Sequence, residues 1–359
     1  PLYHHNVVAI RVSPAGEILD SEPILIWEGG TTDGESGEHV FGVASDGTDW
    51  AIVMTDTFVS GYNTRVRLIG MRMQPDGTLV QAPQTLYSPS CCVFFYKGSL
   101  AYADGVYMAV FEGYVDSWNY GIFGLRLTTS LTTLDSYPLE LTTVAMQNET
   151  HYYRRPGLAS NGSDFYLSWQ LYIDDTSSQV YGARIDPAGN SLDGNGVPIS
   201  DVLPLDLFLA PEVVWDGSQW VVTWPQGHQQ MARVGNNGDV LDPGGVDTGL
   251  SSGVCIADSS PGLRHVRSEA VGSGAMPYDV LQTTISTDLS VGEDQCLSFG
   301  APAQSQPALA TGTTGYLAVF RSTTSSGSRI LAHPLDDWGQ AHLTEPVELA
   351  GGRVGPVSY

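Results

Sequence analysis

A strand–turn–strand signature returns along this chain at intervals of about fifty residues, and that recurrence constrains the fold more than any other feature. The copies are Ala44-Ser-Asp-Gly-Thr-Asp-Trp-Ala-Ile-Val-Met54, Tyr102-Ala-Asp-Gly-Val-Tyr-Met-Ala-Val-Phe111, Ala159-Ser-Asn-Gly-Ser-Asp-Phe-Tyr-Leu-Ser-Trp169, Val214-Trp-Asp-Gly-Ser-Gln-Trp-Val-Val-Thr-Trp224 and Ala310-Thr-Gly-Thr-Thr-Gly-Tyr-Leu-Ala-Val-Phe320. An apolar run enters a turn at Asp-Gly or Asn-Gly, where glycine tolerates positive φ, and leaves through an aromatic-led, β-branched run. Each copy therefore predicts a hairpin.

A second hairpin follows each of the first four, and one more opens the chain. Its first strand reads bulky-Gly/Ala-X-Arg-apolar, its turn is built on Pro-X-Gly or Asn-X-Gly, and a short strand carrying Leu-Asp closes it. Examples are Val8-Ala-Ile-Arg-Val-Ser-Pro-Ala-Gly-Glu-Ile-Leu-Asp20 and Tyr181-Gly-Ala-Arg-Ile-Asp-Pro-Ala-Gly-Asn-Ser-Leu-Asp193. Two hairpins make a four-stranded unit, and repeats of this kind with no amphipathic helix between them predict an all-β fold, a β-propeller, as a single domain over 1–359. Complete blades are expected near 38–88, 98–144, 156–200, 210–248 and 306–349, with a degenerate blade between the last two. Its four strands align with Val254–Ala257, Leu263–Val266, Asp279–Ile285 and Gln295–Phe299. The surplus hairpin at 6–26 and a strand-like Val354-Gly-Pro-Val-Ser-Tyr359 predict a seventh blade closed by both termini, with six blades as the alternative.

The formal net charge of -24, with Lys97 as the only lysine, excludes a nucleic-acid or anionic-membrane partner, since phosphate binding needs clustered Lys and Arg. No apolar run reaches the eighteen or so residues of a membrane span. The chain opens abruptly at Pro1-Leu-Tyr, inside a blade, which predicts a piece of a longer, exported precursor. Of the four cysteines, Cys91 and Cys92 are adjacent and are expected to bridge to each other, two reduced thiols being the alternative. Cys255 and Cys296 share the degenerate blade. A bridge between them would compensate for its poor patterning, yet innermost and outermost strands lie about 14 Å apart, beyond disulfide reach unless one cysteine sits in a loop.

In a propeller the turns within hairpins emerge on one side, and the connections between hairpins and between blades on the other. The first set is uniformly tight here. The second reads as long loops near 28–38, 55–64, 87–97, 112–121, 143–155, 171–179, 200–210 and 225–230, rich in aromatic residues and histidine. Ligand contact is expected there, around Trp118, Tyr120, His151, Tyr152, Tyr153, Arg154 and Arg155, where aromatic rings and an adjacent arginine pair occur together. The repeated Arg11, Arg72, Arg126, Arg184 and Arg233 read as a repeated structural hydrogen bond or ion pair with a neighbouring strand rather than an anion-binding ring. The repeated aromatics Trp50, Tyr107, Phe165, Trp220 and Tyr316, with Trp169, Trp224 and Phe320 four positions on, read as core on one strand face.

His4, His5 and His151 with Glu149, Asp174 and Asp175 form a weak transition-metal candidate, lacking any recognised ligand spacing. The carboxylate excess makes calcium the candidate cofactor, with its ligands unassigned. No nucleophile elbow, P-loop or dinucleotide fingerprint appears, so no catalytic residue is assigned.

The string Leu158–Trp169, followed by Val180-Tyr-Gly-Ala-Arg-Ile-Asp-Pro-Ala-Gly-Asn-Ser-Leu-Asp-Gly-Asn-Gly-Val-Pro-Ile-Ser200, resembles the repeats of large secreted or surface proteins of myxobacteria and related environmental bacteria. The likeness covers nearly the whole chain and departs most over 254–299. It implies an extracellular or cell-surface protein, often part of a multi-domain chain, and brings no agreed biochemical function or catalytic residues. The reading is therefore a non-enzymatic binding or scaffolding module that engages a protein or polysaccharide at the cell surface. A lectin, or a polysaccharide lyase or glycosidase on the same side, is the alternative.

Overall fold

The computed structural model describes residues 6–11, 19–20, 22–28, 40–60, 63–89, 95–114, 120–142, 153–206, 209–257, 262–270, 278–298, 303–312, 315–324, 327–336 and 346–352. Among them there is no helix. Strands β1 (Asn6–Ala9) and β2 (Ile24–Glu28) form a two-stranded sheet. The first blade follows as β3 (Val40–Ser45), β4 (Trp50–Ser60), β5 (Asn63–Met73) and β6 (Leu79–Tyr87). The second is β7 (Phe95–Ala103), β8 (Val106–Tyr114), β9 (Tyr120–Thr128) and β10 (Leu139–Glu140). The third is β11 (Tyr153–Ser160), β12 (Phe165–Asp174), β13 (Ser177–Ile185) and β14 (Val197–Pro198), with β15 (Leu203–Pro204) also pairing β13. The fourth is β16 (Glu212–Trp215), β17 (Trp220–Gln226), β18 (His228–Val234) and β19 (Val246–Asp247). The fifth, from the degenerate segment, is β20 (Gly253–Ala257), β21 (Leu263–Ala270), β22 (Tyr278–Ile285) and β23 (Val291–Ser298). The sixth is β24 (Ala303–Gly312), β25 (Gly315–Thr324), β26 (Gly327–Leu335) and β27 (Val347–Gly352).

Successive strands are hydrogen-bonded neighbours in every sheet, the meander of a β-propeller blade, and six blades are complete. The expected seventh is represented by the two-stranded sheet of β1 and β2. Its proposed inner strand, 354–359, lies outside the described residues, as do Cys91 and Cys92.

The turns form as their residues dictate. Ala103 pairs with Val106, so Asp104 and Gly105 make a two-residue hairpin loop with φ of 42° and 83°. At the other Asx-Gly turns the side chain closes the loop: Asp46, Asn161 and Asp216 each accept the amides two and three residues on through Oδ1, at 2.8–2.9 Å. In the second hairpins the expected left-handed glycines are Gly77, Gly189 and Gly238. The same place is taken by Leu131 (φ 57°) and Leu289 (φ 66°), whose amides donate to Thr128 and Ser286 carbonyls at 2.8 Å. Left-handed backbone costs a leucine about 1–2 kcal/mol. Both side chains are buried, which returns about as much.

The repeated arginines prove to be ion-paired, and the Leu-Asp dipeptide explains how. Arg11, Arg126, Arg184 and Arg233 each grip the aspartate nine residues on, Asp20, Asp135, Asp193 and Asp242, with Nη2 to Oδ1 distances of 2.5–2.8 Å. The same arginine donates its amide to that carboxylate at 2.7–3.1 Å, and its carbonyl accepts the amide of the intervening leucine at 2.9–3.0 Å. Arg72 has Gln81 where the aspartate would stand and pairs instead with Asp49 of the first hairpin. Each clasp is bidentate and only partly exposed, the geometry in which such a pair does stabilise. Arg233 hydrogen bonds hold the Asp242 carboxyl below its ordinary 3.8, so their contribution is present above that value and lost as the pH falls through the lower folded one. Asp242→Asn is expected to cost about 1 kcal/mol at neutral pH by urea denaturation, a difference that shrinks towards zero in strong acid.

The chain divides into two compact units, one of Pro1–Ala9, Ile24–Val213 and Ala232–Gly245, the other of Ile10–Pro23, Val214–Met231 and Val246–Tyr359. In the first, strand alternation sends neighbouring residues of β8 to opposite sides. Tyr107, Ala109 and Phe111 pack with Phe41, Val53 and Leu100, while Met108 and Val110 pack with Leu158, Phe165 and Trp169. Ile26 of β2 packs with Ile52, Met54 and Ile69, so the two-stranded sheet covers the remaining side of the first blade. In the second unit Val254, Val266 and Val280 pack with Tyr316, Ala318 and Phe320.

Three expectations are corrected. Trp50 is 39% exposed, although the other seven repeated aromatics are buried. Cys255 and Cys296, weighed as a bridge, form no disulfide and stand on β20 and β23 with two strands between them. Several expected loops are strand instead: β4 and β5 pair out to Ser60 and Asn63, β12 and β13 to Asp174 and Ser177, and only Gly227, at φ 76°, separates β17 from β18.

Candidate functional site

The residues singled out for ligand contact fall at strand ends. Tyr120 opens β9 and pairs with Tyr114, the last residue of β8. Tyr153, Arg154 and Arg155 open β11, with Tyr153 opposite Leu171 and Arg154 opposite Gln170. Trp118, His151 and Tyr152 lie outside the described residues. What joins the two ends is Glu112 of β8: its carboxylate, 3% exposed, accepts the backbone amide of Arg155 in a short hydrogen bond. Arg155 sits at a register shift between Arg154 and Gly157 with φ of 55°, a left-handed backbone at a non-glycine residue. A strained backbone fixed by a buried carboxylate is over-determined geometry, the kind that persists where a surface has to be held in one shape. The start of β11 is thus tied to β8, the hairpin partner of the strand that Tyr120 opens.

Other acidic groups on these elements are already engaged. Asp56, at the corresponding end of β4 and 3% exposed, accepts Arg67 Nε at 2.6 Å. Asp174 caps the turn to β13, accepting the Thr176 amide and hydroxyl, both at 2.8 Å. The Thr176 hydroxyl first, and its amide next, hold that carboxyl below the ordinary range. Among the described residues no three His, Cys, Asp or Glu side chains converge as metal ligands.

Sequence reasoning missed a second polar cluster, in the fifth blade. The ladder sets Trp50, Tyr107, Phe165 and Tyr316 opposite Met73, Leu127, Ile185 and Leu335, and Leu263 opposite Ile285. Four residues further on, the other blades carry Met54, Phe111, Trp169 and Phe320, and the fifth carries Arg267. Its side chain is 4% exposed, with Nε on Glu269 at 3.0 Å, Nη1 on the Thr283 hydroxyl at 2.6 Å and Nη2 on Asp294 at 2.7 Å. Ser251 donates to Glu269 at 2.6 Å, and the Thr283 hydroxyl donates to Asp294. Burial works against the Asp294 carboxylate, but Thr283 and Arg267 together hold it below its ordinary 3.8. Every edge of the guanidinium is committed, so this cluster holds strands rather than an incoming anion. The signal that could have found it is the arginine standing in the repeat's apolar place.

No protein-family model matches the chain, and no curated protein sequence does either. Solved structures do. A Trypanosoma rangeli sialidase in complex with the inhibitor DANA superposes with a TM-score of 0.53 at 9% identity, over 90% of this chain and 58% of that one. A polysaccharide lyase of family PL25, an ulvan lyase bound to -[GlcA(1-4)Rha3S]-, gives 0.50 at 10% identity, over 81% and 77%. The GH43 endo-arabinanase of Bacillus licheniformis gives 0.40 at 12%, over 69% and 97%. The chain spans under two thirds of the sialidase's length. At these identities the likeness to the sialidase and the lyase is one of fold, and it agrees with the strand order: this chain is a β-propeller.

Proposed function

We propose that the protein is an exported, non-enzymatic binding or scaffolding module that engages a protein or a surface polymer. The contact region is the strand ends carrying Tyr120, Tyr153, Arg154 and Arg155, with Trp118, His151 and Tyr152 from the adjoining segments. The observation that carries the reading is the Glu112–Arg155 bond, which fixes the strained start of β11 against β8, the strand paired with the one that Tyr120 opens. Aromatic faces suit sugar rings or apolar side chains, and paired arginines suit a carboxylate or sulfate within an otherwise acidic protein. The buried Asp56 and Glu112 are each bound within the fold, which favours binding over carboxylate-pair hydrolysis.

A carbohydrate ligand is the second reading, favoured by the cross-strand register of Tyr114 with Tyr120 where β8 meets β9. A glycan array including uronic-acid and sulfated polymers, run beside a surface-protein panel, separates the two. Arg154→Ala with Arg155→Ala is expected to weaken whichever ligand is found by tenfold or more, with the melting temperature held within about 2 °C. Unchanged affinity in that variant overturns the site. Release of unsaturated or reducing ends from any of the polymers overturns the non-enzymatic reading.

A further inference from the structure

The fifth blade contains a histidine that nothing around it is built to charge. His265 lies in the middle of β21 with no exposed surface. The ladder sets it directly between Cys255 of β20 and Thr283 of β22, with Asp294 of β23 beyond. Neither ring nitrogen has a hydrogen-bond partner among the described residues. There is no spare room either: a Cβ on Gly253 would fall 2.7 Å from Nε2, so the ring packs on the bare backbone of β20.

The charged and titratable groups facing it are few. Arg267, two residues along the same strand, is on the same face, and Glu269 follows it. Asp294 faces from β23 and the Cys255 thiol from β20, while the residues packed with Cys255 are Val221, Met231, Leu250, Leu263, Ile285 and Leu289. Both carboxylates are already drawn to Arg267, so a proton on His265 would place a second buried cation beside a guanidinium whose counter-ions are spent.

We infer that the fifth blade is an acid-sensitive element of this fold, its sheet opening when His265 takes up a proton. Burial first, and the Arg267 charge next, push the closed-state imidazole down to about 4 from the ordinary 6.5. The opened state therefore binds the proton through this window. Protection of the blade is complete above about pH 6.5 and lost progressively as the pH falls. Asp294, held below its ordinary value, stays ionised over most of that range and does not account for the loss. The opening equilibrium rises on the order of thirtyfold between pH 7.5 and pH 5.

Hydrogen–deuterium exchange of the full chain at those two pH values, corrected for the intrinsic rate, tests this. Peptides covering 263–270 and 278–285 are expected to lose protection on the order of thirtyfold more than peptides covering 106–114 and 165–174. An equal change in all four, or none, overturns the inference. His265→Gln removes the titrating group, and the selective loss is expected to vanish with it; persistence would assign the effect to the carboxylates instead. Should that variant not fold, the ring signal of His265 in the wild-type chain decides. A neutral imidazole at pH 5 supports the inference, and a midpoint near 6.5 overturns it.

Discussion

Replacing Trp169 with alanine is expected to lower the unfolding free energy by about 3–5 kcal/mol, the largest effect of any single truncation proposed here. The indole is 1% exposed and packs with Phe165, Leu167 and Ile185. It stacks on Tyr181 with centroids 6.0 Å apart, and Gly196 lies so close that a Cβ there would meet Cη2 at 2.3 Å. Its N–H has no partner among the described residues, so what the substitution removes is packing alone. Trp169→Phe, which keeps most of the ring, is expected to cost less than half as much. Urea denaturation by circular dichroism reads both. A loss below 1 kcal/mol for the alanine variant would mean that the third blade's interior collapses freely around the vacancy.

The second large effect is expected at Arg267. Truncation to alanine empties a buried volume and leaves Thr283, Asp294 and Glu269 without the cation that gathers them. The expected loss is about 3 kcal/mol, towards the low end for a broken buried pair because both carboxylates are nearly half exposed and can rehydrate. Arg267→Phe restores the kind of residue that other blades carry at this position and is expected to recover most of that loss. If the phenylalanine variant is no more stable than the alanine one, the polar network is required in its own right. The comparison distinguishes a blade that tolerates its arginine from one that depends on it.

How far the sequence could be read follows from which interactions are local. The Asx-Gly turns and the nine-residue spacing from arginine to aspartate are written in nearby letters; the turns folded as expected, and the arginines took the structural role expected of them with a partner the reading had not named. Even the fifth blade's four strands stand close to where the pattern set them, although the motif is lost there. The tips of β4, β12 and β17 were harder. Asp56, Asp174 and Gln226 read as loop residues, yet cross-strand pairing or an adjacent turn holds them in strand. Leu131 and Leu289 hid the turn that glycine marks elsewhere, since only the core beneath them reveals why a leucine can adopt left-handed backbone there. The bond from Glu112 to Arg155 joins residues forty-three apart and leaves no local trace.

The arginine–aspartate clasp also bears on how such a chain can lengthen. Both partners, the turn between them and the leucine amide that completes the ladder fall within a ten-residue stretch, as in Arg184–Asp193. A duplicated copy therefore arrives with its own counter-ion and its own turn, and what Arg126 and Arg184 also reach in the following blade is only a backbone carbonyl, of Pro187 and Asn236. Where the aspartate is absent, as beside Arg72, a carboxylate of the preceding hairpin, Asp49, stands in its stead. Blade number in proteins of this kind can then change by unequal recombination without stranding a buried charge, so the clasp works as a self-contained unit of inheritance.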